Sequence, residues 1–438
     1  MSLTATQPPQ VAVTLDRKRL ADATRLRIAG LRVSSDCGRI QGAVVAAEAN
    51  GLESSVDLLV SGSAELTDDV PALFRRLRNS GAVHAAEHAT LAKHIANAAA
   101  ELINAMLAEA NLPAEGILAI GVVDPGLWFF EPGAAAGYEC ICDAAWLAER
   151  TGLNCIDAFA KRDLAGGGQG GPLLALPYWM LFRSLHKTRL LLDLGRTTRL
   201  TYLPPAALPR AAGSILSFDV GPGTVLTDRL ARQLTNGQYP YDPGGSLAVQ
   251  GRKIPDLIDH WLSAPYFQEP PPRWYPLGVK PEAELNESIR MAVASGWSVR
   301  DLLCTATHFI AESVARAVER HVPRDPPIDE VLLSGGGQAN GMLLREIALR
   351  VASEHDFQPT WTRCAGMGYS DDVLEGVCAA LLALLHLEQV PANHPGTTGA
   401  QAPRVLGRLT PGSPQSWRRL VQHLATSLPQ TMSLRNAI

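Results

Sequence analysis

The sequence predicts an α/β protein built from two similar halves, and three observations carry that prediction. Short apolar runs that read as strands alternate with longer stretches of helical spacing. The opening pattern after about Arg25, two apolar runs split by a polar turn containing Gly38, returns near Thr188 with helices following each time, which hints at a cleft between two like-built halves. Glycine-rich turns close several runs, as in SFDVGPG and LLSGGGQ, the placing of loops that meet a ligand or start a helix. At 438 residues the chain has room for two domains of about 100–200 residues each.

Taken in order, the residues before about Arg25 are polar, carry a Pro-Pro pair and read as an extension. RLRIAGLRVSSDCGRIQGAVVAAEANG has the pattern of a hairpin, and SVDLLVSGSAEL supplies a third apolar run. Helical spacing covers Val70 to Asn111. ILAIGVV and GLNCIDAFA read as buried strands, and the loop DLAGGGQGGP follows the second. TRLLLDLGRTTRLTYLP opens the second set of strands, and SILSFDVGPG ends in a Gly-Pro-Gly turn. SVRDLLCTATHFIAESVARAVERHV is an amphipathic helix, IDEVLLSGGGQANGMLLREIALRV reads strand, turn, helix, and DDVLEGVCAALLALLHLEQV is a further apolar helix. From Pro391 the chain turns rich in proline and glycine, and MSLRNAI carries no fold signal.

Composition narrows the partners. A formal net charge of -4 offers no positive excess for tracking a phosphate backbone, so nucleic acid is not expected. The first thirty residues hold no apolar h-region, so no secretory signal is expected, and no uninterrupted apolar run reaches the roughly 18 residues of a membrane span. Seven dispersed cysteines (Cys37, Cys140, Cys142, Cys155, Cys304, Cys364 and Cys378) suit a reducing cytoplasm better than a disulfide framework.

Several segments could carry chemistry. In VLLSGGGQANGMLLREI, Gly335, Gly336 and Gly337 let the backbone approach a ligand, and the helix after Asn340 points its N-terminus at an anion such as phosphate. A plain strand-to-helix turn would read the same way. In SFDVGPGTVLTDRL, Asp219 at a strand end is a candidate contact for Mg²⁺ or for a metal-bound phosphate, with Gly221 and Gly223 keeping the loop thin; an acid in a turn is the plainer explanation. KRDLAGGGQGGPL puts Lys161, Arg162 and Asp163 before a loop that either closes over a substrate or merely connects. HAAEH (His84, Glu87, His88) matches a zinc-peptidase pattern, but the further His and Glu residues nearby favour a solvated stripe. ECICD has no second paired motif to complete a metal site, so its thiols read as structural.

In this shared order, from about Gly30 to Gly412, the segments resemble the anhydro-N-acetylmuramic acid kinase family. GLNCIDAFAKRDLAGGGQGGPLLALP is similar to D-F-R-x-x-D-x-A-x-G-G-Q-G-A-P-L-V-P, and FDVGPGTVLTD to F-D-x-G-P-G-N-x-x-x-D. YPYDPGGSLAVQGR, LSGGGQANGMLLREI, DDVLEGVCAALLAL and PGTTGAQAPRVLGRLTPG resemble further family segments. The resemblance implies a two-lobed actin-like (ribonuclease-H-like) sugar-kinase fold with a central cleft. Its lobes are expected at residues 26–185 and 186–395, with a mobile extension at 1–25 and a C-terminal segment at 396–438. It implies ATP and Mg²⁺ as cofactors, an amino sugar as substrate, a cytoplasmic location and a homodimer. The implied reaction phosphorylates O6 of 1,6-anhydro-N-acetylmuramic acid while water opens the anhydro ring, recycling peptidoglycan fragments.

On the same footing, Asp219, Gly221, Gly223, Gly335, Gly336, Gly337 and Asn340 fall on the nucleotide side, and Asp163, Gln169, Asp372 and Glu375 on the sugar side. Asp372 and Glu375 stand three apart on a helix and share a face, where they also serve as ordinary surface acids. The chain departs from the pattern at telling places. Ala158 holds the position of the water-activating Asp, leaving Asp157 and Asp163 as the nearest acids, and Ala160 holds the Arg position. The phosphate hairpin reads VSSDCGRIQ, with Gly38, Arg39 and Gln41 in place of acidic and glycine residues. VDPGL loses the His of H-G-Q, Arg196 replaces a phosphate-side glycine, Thr224 an Asn, and Arg273 a Lys. Arg39 and Arg196 are therefore candidates for new phosphate contacts. Two readings stand: a sugar kinase with a slow or altered site, or a homologue that binds sugar, nucleotide or a protein partner without turnover.

Overall fold

The computed structural model describes residues 11–15, 25–80, 84–130, 136–274, 290, 294–354 and 358–427. The chain divides into two compact units, one formed by residues 1–181, 372–395 and 400–438, the other by 182–371 and 396–399. In the first unit the strands are β1 (Val11–Leu15), β2 (Leu26–Val33), β3 (Arg39–Glu48), β4 (Ser55–Glu65), β5 (Ile117–Val123), the small β6 (Leu127–Phe129) and β7 (Gly137–Glu139), and β8 (Cys155–Asp157). The second unit holds β9 (Arg189–Leu194), β10 (Thr197–Leu203), β11 (Leu216–Pro222), β12 (Glu330–Ser334) and β13 (Thr360–Arg363). A last strand, β14 (Arg408–Thr410), returns to the first unit and pairs with β8.

Both sheets repeat one plan. In the first unit β2, β3 and β4 form an antiparallel meander, and β5 and then β8 join parallel on the other side of β2, so the order is β4-β3-β2-β5-β8. In the second unit β9, β10 and β11 are the meander and β12 and β13 the parallel pair, in the order β11-β10-β9-β12-β13. Third, second, first, fourth, fifth is the ribonuclease-H-like order, and it occurs twice. The recurrence read near Thr188 is thus a true repeat. The first sheet is widened by edge strands β1, against β4, and β14, against β8. Val11–Leu15 lies inside the stretch expected as an extension; residues 16–24 and the closing MSLRNAI lie outside the described residues.

The central strands show why the sequence alternated as it did. β5 is buried at every position, and its unbroken apolar run ILAIGVV suits a parallel strand covered on both faces. The helical stretch expected from Val70 to Asn111 is two helices, Asp69–Asn79 and Ala85–Glu109. On one face of the first sheet, the side chains of Leu102 and Met106 from the longer helix fill the space above Gly42 and Gly62.

The helix Asp371–Leu387 lies closer to its sheet. A Cβ built on Gly30 would stand 2.1 Å from the Gly376 carbonyl oxygen and 2.3 Å from the Ala380 nitrogen. One on Gly121 would stand 2.2 Å from the Ala379 carbonyl oxygen. Gly376, Ala379, Ala380 and Ala383 recur at helical spacing, so a stripe of small residues meets two glycines and backbone rests on backbone. This contact sets the height at which Asp372 and Glu375 sit. The helix Pro414–Ser427, which the sequence reading missed, belongs to the same unit. Among the described residues no helix is long and apolar enough to cross a membrane.

Candidate functional site

In the first unit the two acids nearest Ala158, Asp157 and Asp163, are both engaged. β8 ends at Asp157, and the chain turns at Ala158 in a left-handed conformation (φ 57°, ψ 30°) into the helix Phe159–Ala165. Ala158 is a methyl at the kink that starts this helix, an uncommon conformation for Ala and an easier one for Asp or Asn. Asp157 turns to its cross-strand neighbour Arg408, which grips it with Nε at 3.0 Å and Nη2 at 2.6 Å. Asp163 is 0% exposed; it accepts from the Gly170 amide at 2.7 Å and from the Asn393 amide group. A Cβ on Gly168 would fall 2.2 Å from the Asp163 carboxylate, so the glycine-rich loop is wrapped tightly around that side chain. Asp163 shapes the loop from inside while Gln169 stands exposed on it.

Burial pushes the Asp157 carboxyl above its ordinary range, and the Arg408 fork pulls the other way. A carboxyl whose pKa is raised in the folded state weakens stability most above that pKa, and the cost fades as pH falls through it. Arg408→Ala removes the opposing pull. Because Arg408 is 59% exposed, the expected loss at neutral pH is only about 2–3 kcal/mol, and it shrinks in acid as Asp157 takes up a proton. Denaturant unfolding at two pH values reads this directly; a loss that grows as pH falls would contradict it.

The hairpin between β2 and β3 is closed on itself. The Ser34 hydroxyl accepts from the amides of Gly38 and Arg39 at 3.1 and 3.0 Å, and the Asp36 carboxylate accepts from the Gly38 amide at 3.1 Å. Asp36 thus supplies to the Gly38 amide the negative charge that a phosphate would bring. Arg39 donates to Asp372 at 2.7 Å and to Ser63 at 2.8 Å and pairs with Glu65 at 3.1 Å, while Arg32 reaches Glu375 at 3.3 Å. The two acids expected to face a sugar are therefore each tied to an arginine. In the VDPGL segment, Asp124 accepts from the Tyr138 hydroxyl at 2.5 Å and the amides of Ile141 and Cys142 at 2.9 Å. Burial raises its pKa.

Two discounted motifs also find places here. His88 Nε2 lies 2.9 Å from the Cys140 carbonyl oxygen, and Glu87 pairs with Arg76. Among the described residues no three His, Cys, Asp or Glu side chains gather as a metal site. Burial raises the pKa of the thiols of Cys140, Cys142 and Cys155, which keeps them protonated.

The second unit carries a pocket of about 370 Å³. Thr224, Thr227 and Asp228 of the helix Thr224–Leu234 form one wall; Gly336, Gly337 and Asn340, between β12 and the helix Gly341–Glu354, form another. Tyr241 stands at its edge, 54% exposed, and Thr307 and Ile310 line it from the helix Val299–His321. Two helix N-termini thus reach one pocket, at Thr224 and beyond Asn340, whose Oδ1 accepts from the Leu343 amide at 3.0 Å.

The glycines divide by role. A Cβ on Gly335 (φ 82°) would stand 2.6 Å from the Asp193 carboxylate, one on Gly337 2.6 Å from the Leu194 carbonyl oxygen, and one on Gly223 2.3 Å from the Gly195 carbonyl oxygen. These three let the turns after β9, β11 and β12 pack on one another. Gly221 leaves room for the Phe267 ring, and Gly336 meets nothing within 4 Å. Of the nucleotide-side candidates, Gly336, Gly337 and Asn340 line the pocket, and the others shape it from behind or stand apart.

Asp219 does not fit a metal ion. It is 0% exposed, and Arg199, opposite it on β10, donates from Nε to its carboxylate at 2.7 Å. A guanidinium already supplies the positive charge a cation would bring. Arg273 is buried and donates to the carbonyl oxygens of Asp219 (3.2 Å), Tyr266 (3.2 Å) and Glu269 (2.5 Å), bracing the backbone rather than reaching outward. Desolvation lowers its pKa. Arg196 accepts the Gly223 amide on its carbonyl oxygen at 2.9 Å, and its charge acts on Asp228. Burial pushes the Asp228 carboxyl up to about 6, against the pull of Arg196, Arg232 and a hydrogen bond with Thr224. The sequence reading passed over Asp228, although it is the final residue of the quoted FDVGPGTVLTD motif.

Two ribonuclease-H-like units, one bearing a glycine-edged pocket met by two helix N-termini, make this an actin-like sugar-kinase fold. The family model for anhydro-N-acetylmuramic acid kinase matches residues 42–412, and the chain belongs to that family. A relative of that name from Gloeobacter violaceus is 30% identical over 393 residues, covering 87% of this chain and 98% of its own length. Another, from Bordetella petrii, is 33% identical over 356 residues, covering 81% and 89%. Among solved structures, the activator of the 2-hydroxyisocaproyl-CoA dehydratase from Clostridium difficile is a remote likeness, at 12% identity and a TM-score of 0.38 over 82% of this chain and 94% of that one.

Proposed function

We propose that this chain is an ATP-dependent amino-sugar kinase that phosphorylates 1,6-anhydro-N-acetylmuramic acid at O6 with hydrolytic opening of the anhydro ring, and that it does so slowly. The observation that carries the reading is the pocket of the second unit, which lies on the residues matching the family's glycine motifs. Its polar walls and the positive ends of two helix dipoles suit a nucleotide carrying phosphate, here ATP. The γ-phosphoryl group passes to O6 and ADP leaves; the water that opens the bridge bonds to C1 and must give up a proton. The Ala158 methyl cannot accept that proton, Asp157 is gripped by Arg408, and Asp163 is enclosed by its own loop. Slow turnover follows. The cytoplasm, where ATP is abundant, is the compartment this reading calls for.

A second reading, binding without turnover, is favoured by one observation: each acid next to Ala158 is already engaged. Incubation with ATP, Mg²⁺ and the anhydro sugar, followed by mass spectrometry of the sugar, separates the two. Phosphorylated, ring-opened product above a no-enzyme control supports the kinase. Its absence, together with a melting-temperature rise on adding ATP or the sugar, supports the binder.

A further inference from the structure

The pocket of the second unit contains two carboxylates, Asp228 and Asp242, and their surroundings differ. Asp242 holds its own loop: its two oxygens accept from the amides of Leu247 and Ala248 at 2.8 and 3.0 Å. Asp228 has Thr224 as its hydrogen-bond partner, which leaves accepting capacity on its two oxygens at the pocket wall. An acid in a pocket proposed for a polyanion is unexpected, because phosphate would be repelled there. Its place on the helix resolves this. Thr224 is the first residue of the helix Thr224–Leu234; carbonyl oxygens of Gly195, Arg196 and Gly223 take its first amides, and the positive end of the helix dipole favours anionic groups there. Asp228 lies four residues further on, about 6 Å along the axis, beyond the reach of that terminal field. A ligand with phosphates at Thr224 and Gly336 would bring a neutral, hydroxyl-bearing part to Asp228.

We propose that Asp228 is a specificity-determining residue that reads the ribose of the nucleotide, accepting hydrogen bonds from its 2′ and 3′ hydroxyls. A carboxylate takes two neighbouring hydroxyl donors well, and hydrogen bonds to a charged acceptor are among the stronger ones. Removing one donor leaves a half-buried carboxylate without its partner. The chain therefore selects ribonucleoside over 2′-deoxyribonucleoside triphosphates. The proposal rests on the nucleotide reading of the pocket given under Proposed function and adds the group that reads the sugar moiety.

The test is calorimetric titration of the full-length chain with ATP, 2′-deoxy-ATP and 3′-deoxy-ATP at about pH 8, where Asp228 is ionised. The expected result is ATP binding at least tenfold tighter than either deoxy analogue, with Asp228→Asn bringing the three within about threefold of one another. Asn keeps the shape and the Thr224 partner while removing the charge; Asp228→Ser serves where Asn does not fold. Equal binding of ATP and 2′-deoxy-ATP by the native chain overturns the proposal and leaves the nucleotide reading standing. So does a preference that survives in the Asn variant, or a variant that weakens all three ligands equally. No binding of any nucleotide overturns both.

Discussion

Ala158→Asp is expected to raise the rate of ring-opening phosphorylation by about 10²-fold, with about 10⁴-fold as the ceiling for a restored general base. The gain comes from one carboxylate placed where the chain kinks out of β8, with no other residue changed. The backbone there favours the change, since a left-handed residue is easier for Asp than for Ala. Asp157 does not compete for the role, because its side chain is held by Arg408. The hairpin around Ser34 and Asp36 remains closed in the variant, so part of the deficit persists; losses at a shared site do not simply multiply. Product formation by native chain and variant, followed by ADP release and by mass of the sugar, is the check. A variant with full nucleotide binding and no gain in rate would show that the missing carboxylate is not what limits this chain.

The largest expected effect on stability is at Gly30. Gly30→Ala places a methyl carbon 2.1 Å from the Gly376 carbonyl oxygen and 2.3 Å from the Ala380 nitrogen. Both are backbone atoms of a helix, so no side chain can turn aside; helix and sheet must part. The expected cost is about 4 kcal/mol, at the severe end for a single core substitution. For a unit of this size that lowers the melting temperature by roughly 8–16 °C. The helix that must move carries Asp372 and Glu375 in its first turns, so their pairs with Arg39 and Arg32 should loosen as well. Thermal unfolding measures the cost, and an Ala variant that melts within 2–3 °C of the native chain would contradict the packing argument. Gly376→Ala is the milder control, since its Cβ would meet its nearest neighbour at 3.2 Å.

Much of the fold could be read in the chain, and the reason is local. IDEVLLSGGGQANGMLLREIALRV reads strand, turn, helix and forms β12, the Gly336–Ala339 turn and the helix Gly341–Glu354, because periodicity and glycine act within a few residues. GLNCIDAFA, read as one strand, is a three-residue strand followed by a helix, since the left-handed turn at Ala158 leaves no mark in composition. β1 and β14 escaped notice for a different reason. Each is short, and each is a strand only because a sheet edge is there to pair with.

The candidate site divides in the same way. The order of the glycine and acidic motifs identified the family, and Ala158 could be seen in place of an acid from the sequence alone. What each charged group does could not. Asp157 and Arg408 are 251 residues apart, Arg39 and Asp372 are 333 apart, and Asp219 meets Arg199 across two antiparallel strands. The sequence determined which elements form, in what order, and which side chains are present, since these depend on neighbours along the chain. The tertiary structure alone decided which charges neutralise one another and which carboxylate is left facing the pocket, because electrostatic pairing depends on distance in space.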